Sequence, residues 1–172
     1  MSKLNVDQKA IIDLLSDKKA DFLIPDYQRP YAWSEEQCQT LWDDIFLFSF
    51  PDNNYEAFDD NEEYFLGSIV TYKNENGKSE VIDGQQRLTT LMLILRAFYD
   101  KFESMKDKNS ILTRDRIEKC IWKTDTFGTA DKNTLKIDSE VATDNDKDEF
   151  LELLRTGVVK KGSKSQYVLN YQ

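Results

Sequence analysis

Val81-Ile82-Asp83-Gly84-Gln85-Gln86-Arg87-Leu88-Thr89-Thr90 is the stretch whose reading decides the fold. Val81-Ile82 reads as the end of a strand. Leu88, Leu91, Met92, Leu95, Phe98, Tyr99 and Phe102 then recur at steps of three and four, which is one face of an amphipathic helix. Asp83-Gly84-Gln85-Gln86 therefore sits where a strand turns directly into a buried helix. A helix start presents free backbone N–H groups and the positive end of the helix dipole, and both suit a phosphate. Arg87, in the first turn, can add a bidentate guanidinium to the same anion. Gly84 has no Cβ and lets a ligand approach the backbone closely. A plainer reading stands beside this one: Asp83 as an N-cap, Gly84 as a tight turn, and Arg87 as the partner of a nearby acid.

Immediately upstream, Asn74-Glu75-Asn76-Gly77-Lys78 carries the Asn-Gly signal of a hairpin. Ser79-Glu80-Val81-Ile82 is its return strand. The outgoing strand is Tyr64 to Tyr72, rich in β-branched and aromatic residues. Gly67 inside it signals a bulge or a close backbone approach, so Gly67-Ser68 is a candidate wall of the same pocket.

Further back, Ile24-Pro25-Asp26-Tyr27-Gln28-Arg29-Pro30-Tyr31-Ala32-Trp33 follows a short strand, Phe22-Leu23-Ile24. Two prolines hold it extended. Its aromatics beside Gln28 and Arg29 can stack on a base or sugar and bond a phosphate. They can equally cap the core, with Arg29 paired to an acid. Ser34-Glu35-Glu36-Gln37 is a capping box opening a helix with Cys38, Leu41, Trp42 and Ile45 inward. Asn5 with Gln8 suggests a capped first helix through Ile11, Ile12, Leu14 and Leu15. The acidic run from Asp52 to Glu63 reads as a solvated loop, since it lacks the glycine and spacing of a calcium loop.

Downstream of the long helix, Ile111 to Trp122 has a moderate helical pattern, and Leu135-Lys136-Ile137 is a short strand. Asp144 is expected to cap a last helix with Phe150, Leu151, Leu153 and Leu154 inward, stopped by Gly157. Lys160 to Ser165 is expected to be mobile.

Composition narrows the chemistry. The 172 residues contain no histidine, which excludes Ser-His-Asp and Cys-His catalysis, His-ligated zinc and an HNH nuclease centre on this chain. A net charge of −9 is wrong for a self-sufficient DNA binder, although Arg155, Lys160, Lys161 and Lys164 form a local basic tail. An aromatic content of 12% argues against a disordered chain. No apolar run approaches the roughly 18 residues that span a bilayer. No signal-peptide pattern follows Met1, and two distant cysteines, Cys38 and Cys120, fit a reducing cytoplasm as small core residues.

Three pieces in order now resemble a known family: the 24–33 segment, Leu66-Gly67-Ser68-Ile69-Val70, and Val81 through Leu91. Together they look like the N-terminal domain of GmrSD-type, modification-dependent (type IV) restriction proteins, with a ParB/sulfiredoxin-like core. The resemblance implies an α+β fold, with a small mixed sheet and hairpin packed by several helices. It implies a core over residues 1–103 and a helical extension over 104–172, cut before further domains. It also implies a pocket for a nucleoside triphosphate (NTP), with Mg2+, in which the Asp-Gly-Gln-Gln-Arg motif supports hydrolysis. Asp83 would position a metal ion or water, Gln85 or Gln86 would orient water or phosphate, and Arg87 would neutralise charge. Gln28, Arg29, Gly67, Ser68, Gly84 and Thr89 would complete the nucleotide-binding set. Family members usually continue into an HNH nuclease domain that cuts modified foreign DNA. Two other functions remain open, a nucleotide-sensing module without turnover and a ParB-like DNA-contacting module.

Overall fold

The computed structural model describes residues 6–59 and 61–172. Its centre is a four-stranded mixed sheet in the order β2-β3-β1-β6, formed by β1 (Phe22–Ile24), β2 (Val70–Lys73), β3 (Ser79–Asp83) and β6 (Ile137–Ser139). Strand β1 runs parallel to both neighbours, pairing Phe22 with Ser79 on one side and with Ile137 on the other. All three of its residues are buried, as expected of a parallel strand covered on both faces. Pro25 ends it because proline has no N–H to donate. Strands β2 and β3 form the antiparallel hairpin that the Asn-Gly turn predicts, closed by Asn74 and Lys78 with Gly77 at φ 79°. A separate two-stranded ribbon joins β4 (Trp122–Thr124) to β5 (Ala130–Leu135).

Six α-helices among the described residues surround the sheets: α1 (Ile11–Ser16), α2 (Glu35–Ser49), α3 (Gln85–Glu103), α4 (Lys108–Ile121), α5 (Lys147–Thr156) and α6 (Gln166–Tyr171). The expected α+β class therefore holds. Helix α3 is the spine, touched by α4, α5 and α6. Leu88 and Met92 pack from it into a core shared with Phe22, Val81, Ile137 and Phe150. Each such side chain, removed from water, contributes about 1.5–3 kcal/mol. The 104–172 segment thus supplies a strand to the central sheet and side chains to its core. No helix among the described residues is long and apolar enough to cross a membrane.

Several local expectations need correction. The first helix starts at Ile11 without a side-chain cap, and Gln8 instead bonds Glu63 at 2.5 Å; Asn5 lies outside the described residues. The strand expected from Tyr64 begins only at Val70, because Gly67 at φ 100° turns the chain and no strand among the described residues pairs with residues 64–69. Trp122 leaves α4 and starts β4. The cap of α5 is Asp146, while Asp144 accepts the Tyr167 hydroxyl. Cys38 is only half-buried, whereas Cys120 is core.

The expected mobile tail leads into α6, whose Tyr167 stacks between Tyr31 and Phe150 at 4.8 and 4.6 Å. Tyr171, also on α6, donates to Asp100; burial first and that bond second push its hydroxyl up to about 12. Lys136, between β5 and β6, is completely buried. Its Nζ donates to the carbonyls of Leu15 (3.0 Å) and Asp17 (2.6 Å), where the negative end of α1 favours a cation.

Candidate functional site

Strand β3 ends at Asp83, and Gly84 then swings through φ 87° into α3. Gly84 is itself the N-cap and brings no side chain to the first-turn N–H groups. Asp83 is no N-cap: its carboxylate is exposed and has no hydrogen bond or ion pair among the described residues. The requirement for glycine has a protein-internal cause. A Cβ on Gly84 would stand 2.8 Å from the Ser68 carbonyl oxygen and 3.2 Å from Ile69 Cα. The close approach expected of a ligand is therefore made by the 68–69 backbone.

The two glutamines of the motif point inward, each only 7% exposed. Gln86 holds the 29–32 loop with both ends of its amide, donating to Pro30 O at 3.0 Å and accepting from Ala32 N at 2.8 Å. Gln85 donates to Arg29 O at 2.8 Å, but its buried Oε1 has no partner. Gln28 extends the same strap. Beyond Leu23 strand β1 no longer pairs with β3, and Gln28 Nε2 takes over the Val81 and Ile82 carbonyls at 3.2 and 3.0 Å.

Thr90 donates to Gln86 O, which leaves its oxygen to accept from the Tyr31 hydroxyl at 2.8 Å. Burial pushes the Tyr31 hydroxyl well above its ordinary range, so it remains a neutral donor. Asn170 of α6 completes the lattice, donating to Tyr31 Oη at 3.0 Å and Trp33 O at 2.8 Å. The 24–33 segment is thus stitched to the Val81–Leu91 motif by side-chain amides.

Arg87 leaves the opposite side of the same helical turn. Its guanidinium donates to Ser68 O at 3.0 Å and lies over Gly67, where a Cβ would come within 2.7 Å of it. Arg29 is exposed, and its guanidinium carries no hydrogen bond or ion pair among the described residues.

The sequence-predicted residues therefore fall into two groups around one helix start. Gln28, Gln85, Gln86 and Thr89 lie on the loop side with Arg29 at the rim. Gly67, Ser68 and Arg87 lie on the hairpin side, and Asp83 sits free at the junction. A cavity of about 10 Å3, near the size of one water molecule, touches Arg29, Gln85, Gln86, Thr89 and Ser139. Ser139 Oγ there is a second buried atom without a partner. Sequence reading missed Ser139 and Asn170, because nothing local marks a polar residue on a distant strand or a short helix.

The profile of the N-terminal domain of the GmrSD restriction endonuclease matches residues 11–172. The chain belongs to this family. No curated protein matches it. Membership in the GmrSD N-terminal domain family gives the chain a role in restriction and covers both motif loops, α3 and the α5–α6 segment alike.

The donor set fits a phosphate group. Uncapped first-turn N–H groups and an Arg29 guanidinium without a partner among the described residues suit an anion, and the orphaned Gln85 Oε1 is an acceptor suited to a water molecule. Among the described residues no three of His, Cys, Asp and Glu cluster as a metal cage. A magnesium ion here would be held by Asp83 and by the phosphates themselves, the usual arrangement for that cation.

Proposed function

We propose that the start of α3 binds the phosphates of an NTP and hydrolyses it with Mg2+. Turnover would regulate a nuclease domain, an HNH domain by family resemblance, that acts on modified foreign DNA in a reducing cytoplasm. The observation that carries this reading is a helix start with no capping side chain, flanked by an unpartnered Arg29 and by Arg87. The first-turn N–H groups and both guanidinium groups neutralise phosphate oxygens, and Asp83 orients water or the metal ion. Mg2+, when bound, supplies further charge neutralisation to the phosphates. Gln85 offers its free Oε1 to a water molecule, while Gln86 positions the loop that carries Arg29. Gly84, Gly67, Ser68 and Thr89 shape the site without bonding to the phosphates.

A phosphate-release assay with each NTP, with and without Mg2+, tests the enzyme reading alongside thermal shift. Release that requires Mg2+ and disappears in Asp83→Ala is the expected result. Binding without release would support a sensing module instead, which the engaged amides of Gln85 and Gln86 favour. A ParB-like grip on DNA has less behind it. The net charge is −9, and Arg155 in the basic tail is paired with Glu152 at 2.5 Å. A gel shift at two salt concentrations checks that alternative.

A further inference from the structure

We infer that the groove between α2 and the 64–67 segment holds the nucleoside half of the ligand, and that it selects guanine. This rests on the reading of the α3 start as the phosphate site. The groove encloses about 460 Å3, within the range of roughly 300–1,000 Å3 typical of small-molecule sites. Arg87 lines it and also belongs to the first turn of α3, so one guanidinium joins the groove to the phosphate donors.

One wall is a single face of α2. Gln37, Thr40, Leu41 and Asp44 all line it, and their spacing of three, four and seven residues stacks them on one side of a helix. The other wall is Tyr64-Phe65-Leu66-Gly67, the stretch that fails to become a strand. Phe65 is 79% exposed, which leaves its ring open to a stacking partner, while the Tyr64 ring packs against Phe48 with centroids 5.6 Å apart. Trp33 contributes a third ring to the lining.

Asp44 decides the base. Its Oδ2 accepts the Tyr64 hydroxyl at 3.0 Å, which fixes the carboxylate toward the 64–67 wall. No cation pairs with it among the described residues, and an ionised carboxylate only accepts hydrogen bonds. Guanine alone among the four bases presents two adjacent donors, N1–H and the N2 amino group, to such an acceptor. Adenine and cytosine offer an amino group next to a ring acceptor, and uracil offers one N–H between two carbonyls.

Isothermal titration of the full chain with GTP, ATP, CTP, UTP and inorganic tripolyphosphate, all with Mg2+, tests this. GTP is expected to bind at least tenfold more tightly than the other three. Asp44→Asn should abolish that preference while leaving tripolyphosphate affinity and melting temperature unchanged. Tyr64→Phe, which frees the carboxylate without removing it, should weaken GTP more than ATP. Trp fluorescence quenching by GTP should disappear in Trp33→Phe. Equal affinity for all four nucleotides, or a guanine preference that survives Asp44→Asn, overturns the inference and leaves the phosphate site standing. Failure of both GTP and tripolyphosphate to bind overturns the phosphate site and this inference with it.

Discussion

The buried loop side and the exposed junction and rim of the α3 start carry similar polar residues and use them in opposite ways. On the loop side, Gln85 and Gln86 are buried and bonded to the backbone of residues 29–32, holding one segment against another. At the open junction, Asp83 is exposed and has no partner among the described residues, nor does the guanidinium of Arg29 at the rim. One consecutive run of residues thus contains both the seam of the fold and an exposed, unbonded carboxylate. A polar motif alone therefore does not say which of its members meet a ligand. Burial and bonding separate them.

Substitutions can break or sharpen that contrast, and the largest effect is expected on the seam. Gln86→Ala leaves Pro30 O and Ala32 N without their partner, so urea denaturation should show a loss of about 2–4 kcal/mol. If Gln86→Ala instead keeps its stability and loses only turnover, the seam assignment is wrong. Asp83→Ala should behave in the reverse manner. Phosphate release is expected to fall by about 10²-fold or more, with an unchanged melting temperature, because the Asp83 carboxylate makes no hydrogen bond or ion pair among the described residues.

Gly67→Ala lies between these two. A side chain at φ 100° is strained and meets the Arg87 guanidinium, so roughly 1–2 kcal/mol of stability and part of the nucleotide affinity should go together. Arg29→Ala should weaken nucleotide binding by about tenfold, equal to one charge-assisted bond of about 1.4 kcal/mol, without a change in unfolding.

Lys136 gives the smallest and most specific test, a charge on the buried side. Burial pushes its pKa down, so the unfolded chain binds that proton more tightly than the folded one. Stability should therefore rise as pH climbs through the interval between the folded and unfolded pKa values. Lys136→Met should flatten that part of the alkaline stability curve.

Features with local causes were legible in the sequence. The Asn-Gly hairpin, the Ser34–Gln37 capping box, the periodic α3 and the Gly157 stop each need only neighbouring residues, and each is present. What failed depended on distant partners. Residues 64–69 have strand composition but no strand to pair with. Trp122 continues the apolar period of α4 yet is drawn into the β4–β5 ribbon by Leu135. Helix α6 is six residues long, too short for a period to register, and it holds through Tyr167 and Asn170.

At the site, the sequence left Asp83 open between an N-cap and a ligand group and Arg29 between an anion ligand and the partner of an acid, and it did not show the inward turn of Gln85. A signal existed, since Gln85 lies three and seven residues before Leu88 and Met92 on the same helical face. The apolar stripe simply continues one turn further under a polar residue.

The pairing of β1 bears on how the chain comes together in time. Its first residue is flanked by Ser79 on one side and Ile137 on the other. During synthesis both motif loops and all of α3 emerge while one edge of that strand is still bare. Closing such distant ends is slow compared with forming a hairpin or a helix, and an open apolar strand edge invites pairing with another chain. The late arrival of β6, with Phe150 and Tyr167 behind it, is the event that ends this exposure. Nascent chains stalled before Ile137 are the population that a chaperone would have to shield.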